Sequence, residues 1–160
     1  MKRLARGLFP VQHEAIDNDG HETTDLRTGP AAMNVLFIED DRMNRRVVRD
    51  MLDVAGASMV EAESAEEGLA LLEAQTFDML LVDLRMPGMD GITAIRIIRA
   101  RDDAKAKVPI IVVTADTAID LRQQCLAAGA DEVIFKPVAM DNLFDAMGRV
   151  LAADDDGLIG

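Results

Sequence analysis

Between Met33 and Leu151 the chain repeats one pattern, a short unbroken apolar run followed by a longer segment whose apolar residues recur every three or four positions. Val35-Leu36-Phe37-Ile38, Met79-Leu80-Leu81-Val82, Pro109-Ile110-Ile111-Val112-Val113 and Val133-Ile134-Phe135 are too short for buried helices and do not alternate with polar residues. Such runs mark strands covered on both faces. A less apolar stretch from Ser58 to Ala62 makes a fifth. The intervening segments read as helices. The first, about Met43 to Ala55, puts Val47, Val48, Met51, Leu52 and Ala55 on one stripe, leaves Arg45, Arg46, Arg49 and Asp53 off it, and stops at Gly56. The second opens on Ser64 with Glu67 as a capping box and runs through Leu69, Leu71 and Leu72. The third spans about Ile92 to Arg101, the fourth Asp116 to Ala128 with Gly129 as its close, and the last carries Leu143, Phe144, Met147, Val150 and Leu151. Five strands alternating with five helices predict an α/β domain built on a single parallel sheet with helices on both faces.

Composition narrows what such a domain does. A chain of 160 residues, 49% apolar and 29% charged, suits one globular domain. With 29 acidic residues against 17 basic ones its net charge is −12, which repels a phosphate backbone and argues against nucleic acid as a partner. Its one cysteine, Cys125, forms neither an intramolecular disulfide nor a zinc motif, and a cytoplasmic setting is expected. No apolar run approaches the roughly 18 residues of a membrane span, so membrane insertion is not expected. Lys2, Arg3 and Arg6 precede no apolar signal segment. Residues 1–32, with both histidines (His13, His21) and the polar cluster Asp17-Asn18-Asp19-Gly20, lack periodicity and read as a flexible N-terminal extension. The domain proper is expected over 33–153, and 154–160 as a short acidic tail.

In open sheets of this class ligands bind beyond the carboxyl ends of the strands. There the sequence places Glu39, Asp40 and Asp41 after the first strand, Asp83 after the third, Thr114 after the fourth and Lys136-Pro137 after the fifth. Carboxylates crowded together repel unless a cation compensates. A hard divalent ion does so, and Mg²⁺ is held by one or two carboxylates while keeping positions open for phosphate oxygens. Lys136 is a point charge and Thr114 a hydroxyl donor for those oxygens.

These segments, Val35 to Asp41, Leu81 to Gly91, Val113-Thr114-Ala115 and Phe135-Lys136-Pro137, in this order and spacing, resemble the receiver domain of bacterial two-component response regulators over about Asn34 to Ala152. The resemblance implies a flavodoxin-like (βα)5 fold with strand order 2-1-3-4-5. It implies Asp83 as the phosphoacceptor, with Mg²⁺ held by Asp83, Asp40, Glu39 and the backbone carbonyl of Arg85. It implies phosphoryl contacts from Thr114, the Ala115 N–H and Lys136, and a cis bond before Pro137. Asp41 falls one position beyond the acidic pair and is left out of the metal site.

The implied function is acceptance of a phosphoryl group from a phosphohistidine on a sensor histidine kinase or histidine phosphotransfer protein, followed by a change of conformation or onward transfer. Met43, Arg45, Arg46 and Arg49 of the first helix are expected to face that partner. The chain reads as a signalling phosphoacceptor rather than an enzyme, since no second carboxylate stands two residues after Asp83 to serve as an acid for external phosphoesters. Its last helix lies close to the end, so a stand-alone receiver is expected. The alternative is a docking protein on a receiver scaffold that works without phosphorylation. One position departs from the family: three residues before the lysine, where the switch is usually Tyr or Phe, stands Val133. Arg85 and Asp116 are expected to flank the path of attacking water and, by pairing, to tune the lifetime of the phosphoryl group.

Overall fold

The computed structural model describes residues 33–159, and the extension expected over 1–32 lies outside the described residues. The elements are β1 (Asn34–Ile38), α1 (Arg42–Val54), β2 (Ser58–Ala62), α2 (Ala65–Ala74), β3 (Met79–Val82), α3 (Gly91–Arg99), a 3₁₀ turn (Ala104–Lys107), β4 (Ile110–Thr114), α4 (Leu121–Ala128), β5 (Glu132–Phe135) and α5 (Met140–Ile159). All strand pairs are parallel, in the order β2-β1-β3-β4-β5. The flavodoxin-like topology is therefore the observed one.

The uninterrupted apolar runs are central strands for a simple reason: both of their faces are covered. Leu36, Ile38, Leu80, Val82, Ile110 and Val112 point into a layer with α2, α3 and α4, while Val35, Phe37, Met79, Leu81, Ile111 and Val113 point into the layer under α1 and α5. All twelve of these side chains are fully buried. Burial of each contributes roughly 1.5–3 kcal/mol, so the sheet is held from both sides with Phe37 as the one aromatic among these strand residues.

The structure revises four local expectations. Arg45 is not on the solvent side of α1: with Val48 and Leu52, three and seven residues on, it occupies the buried stripe, and it is 6% exposed. The fourth helix begins at Leu121 and not at Asp116. Residues 116–120 stay out of the helix because the Asp116 Oδ1 accepts from the Ala118 N–H, a local turn that competes with helix, and Asp120 makes no side-chain cap. Ser64 caps α2 by accepting from Glu67 N, but the Glu67 carboxylate returns to the Glu63 N–H rather than to that of Ser64. Finally, the α5 backbone continues to Ile159, through the stretch expected as a tail.

Candidate functional site

Strands β1, β3, β4 and β5 deliver the residues at their carboxyl ends to one rim. Glu39 extends β1 by donating its N–H to the Ala62 carbonyl at 2.9 Å, and Asp83 extends β3 by donating to the Ile38 carbonyl at 2.9 Å. Thr114 closes β4 and accepts, through its backbone oxygen, the Lys136 N–H at 2.8 Å. The Lys136–Pro137 peptide bond is cis. Gly91 is required below the rim, since a Cβ there would overlap the Asp83 carbonyl oxygen; its absence lets the start of α3 lie directly against the Asp83 backbone.

Glu39 is only 1% exposed and is fixed at several points. Its Oε2 accepts from the Asp41 N–H at 3.1 Å, and its carbonyl accepts from Arg45 Nη1 at 2.8 Å. Its Oε1 is different. The Lys136 ammonium lies 2.8 Å away and forms a buried ion pair with it. Lys136 Nζ also reaches Asp83 Oδ1 at 3.3 Å, as a long hydrogen bond. Oxygens of Glu39, Asp40 and Asp83 come within 4.8 Å of one another, with Asp40 exposed and the other two buried.

Burial pushes the Glu39 and Asp83 carboxyls above the ordinary carboxylate range, with Lys136 opposing in both cases. For Lys136 burial alone favours the neutral form, but its contacts with Glu39 and Asp83 outweigh that and hold the ammonium above its usual value. The rim is therefore two buried carboxylates sharing one lysine, one charge short of compensation. A hard cation would supply the missing charge, and the clustered carboxylate oxygens of Glu39, Asp40 and Asp83 are the ligands such an ion takes. That donor set fits Mg²⁺.

Around these groups lies a cavity of about 220 Å³, also lined by Thr114, Ala115, Arg85, Asp41 and Asn44. Asp41 is at the wall, but its Oδ1 accepts from the Asn44 N–H at 3.0 Å and caps α1. Thr114 is buried, with its Oγ1 accepting from the Asp116 N–H at 3.1 Å. Arg85, at the wall of the cavity, forms an ion pair with Asp116, which raises the guanidinium and lowers the carboxyl. Val133 is buried in the α2–α3–α4 layer, away from solvent, whereas Phe135, two residues on and opposite Thr114 in the β4–β5 register, is 41% exposed.

Sequence reasoning missed Arg45 and Asn44. The spacing of Arg45 to Val48 and Leu52 was the available signal for the first. Nothing in the sequence marks Asn44, whose place follows from the capping of α1 by Asp41.

Residues 35–148 match the family model described as the response regulator receiver domain. The chain is 33% identical over 125 residues to the virulence sensor protein BvgS of Bordetella pertussis, covering 76% of this chain and 10% of that protein. It is 36% identical over 121 residues to the sensor histidine kinase AruS of Pseudomonas aeruginosa, covering 75% of this chain and 12% of the kinase. The chain thus spans about a tenth of the length of either. Among solved structures it is similar to the receiver domain of the sensor histidine kinase PA1611 of Pseudomonas aeruginosa, described with a magnesium ion coordinated in the active site cleft. That likeness has a TM-score of 0.69 and 30% identity, over 76% of this chain and 98% of that one.

Proposed function

The chain belongs to the response regulator receiver domain family of two-component signal transduction, and from that premise we propose that Asp83 is its phosphoacceptor and that Glu39, Asp40, Asp83 and the Arg85 carbonyl hold Mg²⁺. The observation that carries this reading is the cluster of three carboxylates, Glu39, Asp40 and Asp83, whose two buried members share one ammonium, Lys136, among the described residues. Mg²⁺, when bound, neutralises charge on the transferring phosphoryl oxygens. An Asp83 carboxylate oxygen attacks phosphorus, the P–N bond of the donor phosphohistidine breaks, and the imidazole keeps the electron pair. Lys136, already between Glu39 and Asp83, shifts toward a phosphoryl oxygen. Thr114 Oγ1 and the Ala115 N–H line the same cavity and take others.

Capture of those oxygens draws on the 114–120 loop, because Thr114 Oγ1 presently holds the Asp116 N–H. Val133 has no ring to swing inward, so the output rests on that loop and the uncapped start of α4. Methyl relaxation at Val133 comparable to that of remote core valines, with and without beryllofluoride, is the expected result; large rotamer exchange confined to Val133 would contradict it.

The partner we propose is a sensor histidine kinase or histidine phosphotransfer protein, met by the exposed Met43, Arg46 and Val47 and by the half-exposed Arg49. Arg45 is withdrawn from that face by its burial. Among the described residues no helix is long and apolar enough to cross a membrane. A cytoplasmic setting is proposed, in keeping with a buried free thiol at Cys125. Phosphotransfer profiling against histidine kinases and phosphotransfer proteins, with Asp83→Asn as control, tests the reading. Transfer that survives Asp83→Asn overturns it.

A further inference from the structure

Arg45 carries a charge, is 6% exposed, and stands on the turn of α1 that faces the acidic loop. Its planar fork is divided between two elements. Nη1 donates to the Glu39 carbonyl at 2.8 Å, and Nε donates to Glu61 Oε1, at the end of β2, at 2.7 Å. The second prong is itself anchored, because Glu61 Oε2 is also paired with Arg49. Glu39 sits one residue before Asp40, and its other fixed points are its own N–H on Ala62, its Oε2 on Asp41 and its Oε1 on the Lys136 ammonium. Arg45 therefore locks the peptide that joins the two carboxylates from its carbonyl side. Rotation about the Glu39 Cα–C bond would carry Asp40 away and withdraw the Asp41 N–H from Glu39 Oε2. An ammonium is a single point donor, whereas a guanidinium holds a carbonyl and a carboxylate together in one plane.

We propose that Arg45 is a positioning residue for the metal-binding carboxylates: it touches no cation and acts by fixing the Glu39–Asp40 peptide, so that both side chains meet Mg²⁺ without reorganisation. This rests on the proposed reading of Glu39, Asp40 and Asp83 as a Mg²⁺ site. It adds a residue whose burial removes it from the partner-facing surface and gives it a role toward the metal.

Mg²⁺ titration of the full chain, followed by backbone amide shifts, tests it alongside thermal unfolding. Arg45→Met is expected to raise the Mg²⁺ Kd about tenfold, the low end for a residue that orients a ligand without binding metal. Glu61→Gln disturbs the same ion network but leaves the donor to the Glu39 carbonyl in place. Its Kd is expected to stay within twofold of wild type although its unfolding midpoint also falls, a separation that a merely structural role for Arg45 would not produce. Arg45→Lys, which can serve one acceptor but not both, is expected to weaken binding about threefold and carries the test should Arg45→Met fail to fold. Wild-type affinity in the folded Arg45 variants overturns the proposal, as does equal weakening by Glu61→Gln. Asp40→Asn separates the two levels. If it binds Mg²⁺ as wild type does, the metal site itself is wrong; if it loses Mg²⁺ while Arg45→Met does not, only the positioning role falls.

Discussion

The two ends of the sheet use charged side chains in opposite ways. At the amino ends of the strands Arg99, the last residue of α3, donates to the carbonyls of Gly129, Ala106 and Val108 at 2.7–2.8 Å and to Asp131 Oδ2 at 3.0 Å. Asp131 Oδ2 in turn accepts the Ile110 N–H at 2.9 Å, and Lys105 Nζ caps the end of α2 on the Leu72 carbonyl at 2.6 Å. That end is closed: each charge there ties chain ends that would otherwise leave carbonyls unpaired. At the carboxyl ends Glu39 and Asp83 share one lysine, and Asp40 adds a third carboxylate within 4.8 Å. The difference teaches where to look for chemistry in such a fold. Crowded carboxylates repel unless a cation compensates, so the end where negative charge is left in excess is the end suited to a ligand that brings positive charge.

The sharpest way to break this contrast is at Asp83. Asp83→Asn is expected to reduce labelling by acetyl phosphate, read by intact mass, to background, because the attacking oxygen is gone while the fold remains. Residual labelling elsewhere on the rim would show that the open end is not organised around one acceptor. The opposite end should respond in the opposite currency. Arg99→Met is expected to lower the free energy of unfolding in urea by about 3 kcal/mol, since three carbonyls lose their donor at roughly 1 kcal/mol each. The labelling rate per folded molecule should hold within twofold. A large drop in that rate would mean that the two ends are coupled through the sheet. Gly129→Ala probes the same hub: its φ of +123° disfavours any Cβ, and one there would stand 2.5 Å from Arg99 Cγ.

A smaller effect concerns pH. Burial raises the Glu39 and Asp83 carboxyls, so the folded chain keeps their protons to higher pH than the unfolded chain does. Stability in chelator is then favoured by protonation of the rim and declines as pH rises through those raised values. Glu61, Asp103 and Asp116, lowered chiefly by hydrogen bonds from arginines, act the other way, contributing above the ordinary carboxylate range of about 4 and losing that contribution as pH falls through their lowered values. Thermal unfolding of Asp83→Asn beside wild type isolates the rim. In chelator at neutral pH the variant is expected to be the more stable, its advantage shrinking toward mild acid and reversing when Mg²⁺ is added. A constant difference across pH would show that the rim carboxylates carry no burial strain.

How much of this was legible follows from which interactions are local. The central strands were, because a run such as Val35 to Ile38 buried on both faces leaves no other reading, and the topology then brings the strand ends together. Glu39, Asp40, Asp83, Thr114 and Lys136 were found as residues that follow strands. The start of α4 was not, because the turn at Asp116 competes with helix and the pairing of that residue with Arg85 is tertiary. Arg45 was misplaced for the converse reason: an arginine on an amphipathic helix is ordinarily at the surface, and only its acceptors, Glu39 and Glu61, justify its burial. The closed end was invisible, since the hub is made of backbone carbonyls that no residue type announces.

The smallest expected effect lies at the cavity wall of the open end. Arg85 and Asp116 pair there, as their positions in the sequence suggested, but the Arg85 side chain is 77% exposed. An ion pair that open to solvent is weak, so its influence on a rate is small. Its place decides the direction. Arg85 lines the cavity that holds Asp83, so water attacking a phosphoryl group on that residue is expected to pass its side chain. Arg85→Ala is expected to speed loss of phosphate from labelled protein two- to fivefold, Asp116→Asn to do so less because the guanidinium remains near the phosphoryl oxygens, and the double variant to match Arg85→Ala alone. Decay followed by intact mass after removal of acetyl phosphate reads all three. Additive effects would mean that the two side chains act separately and that the pair is no gate, while unchanged decay in Arg85→Ala would leave the open end governed by its buried groups only.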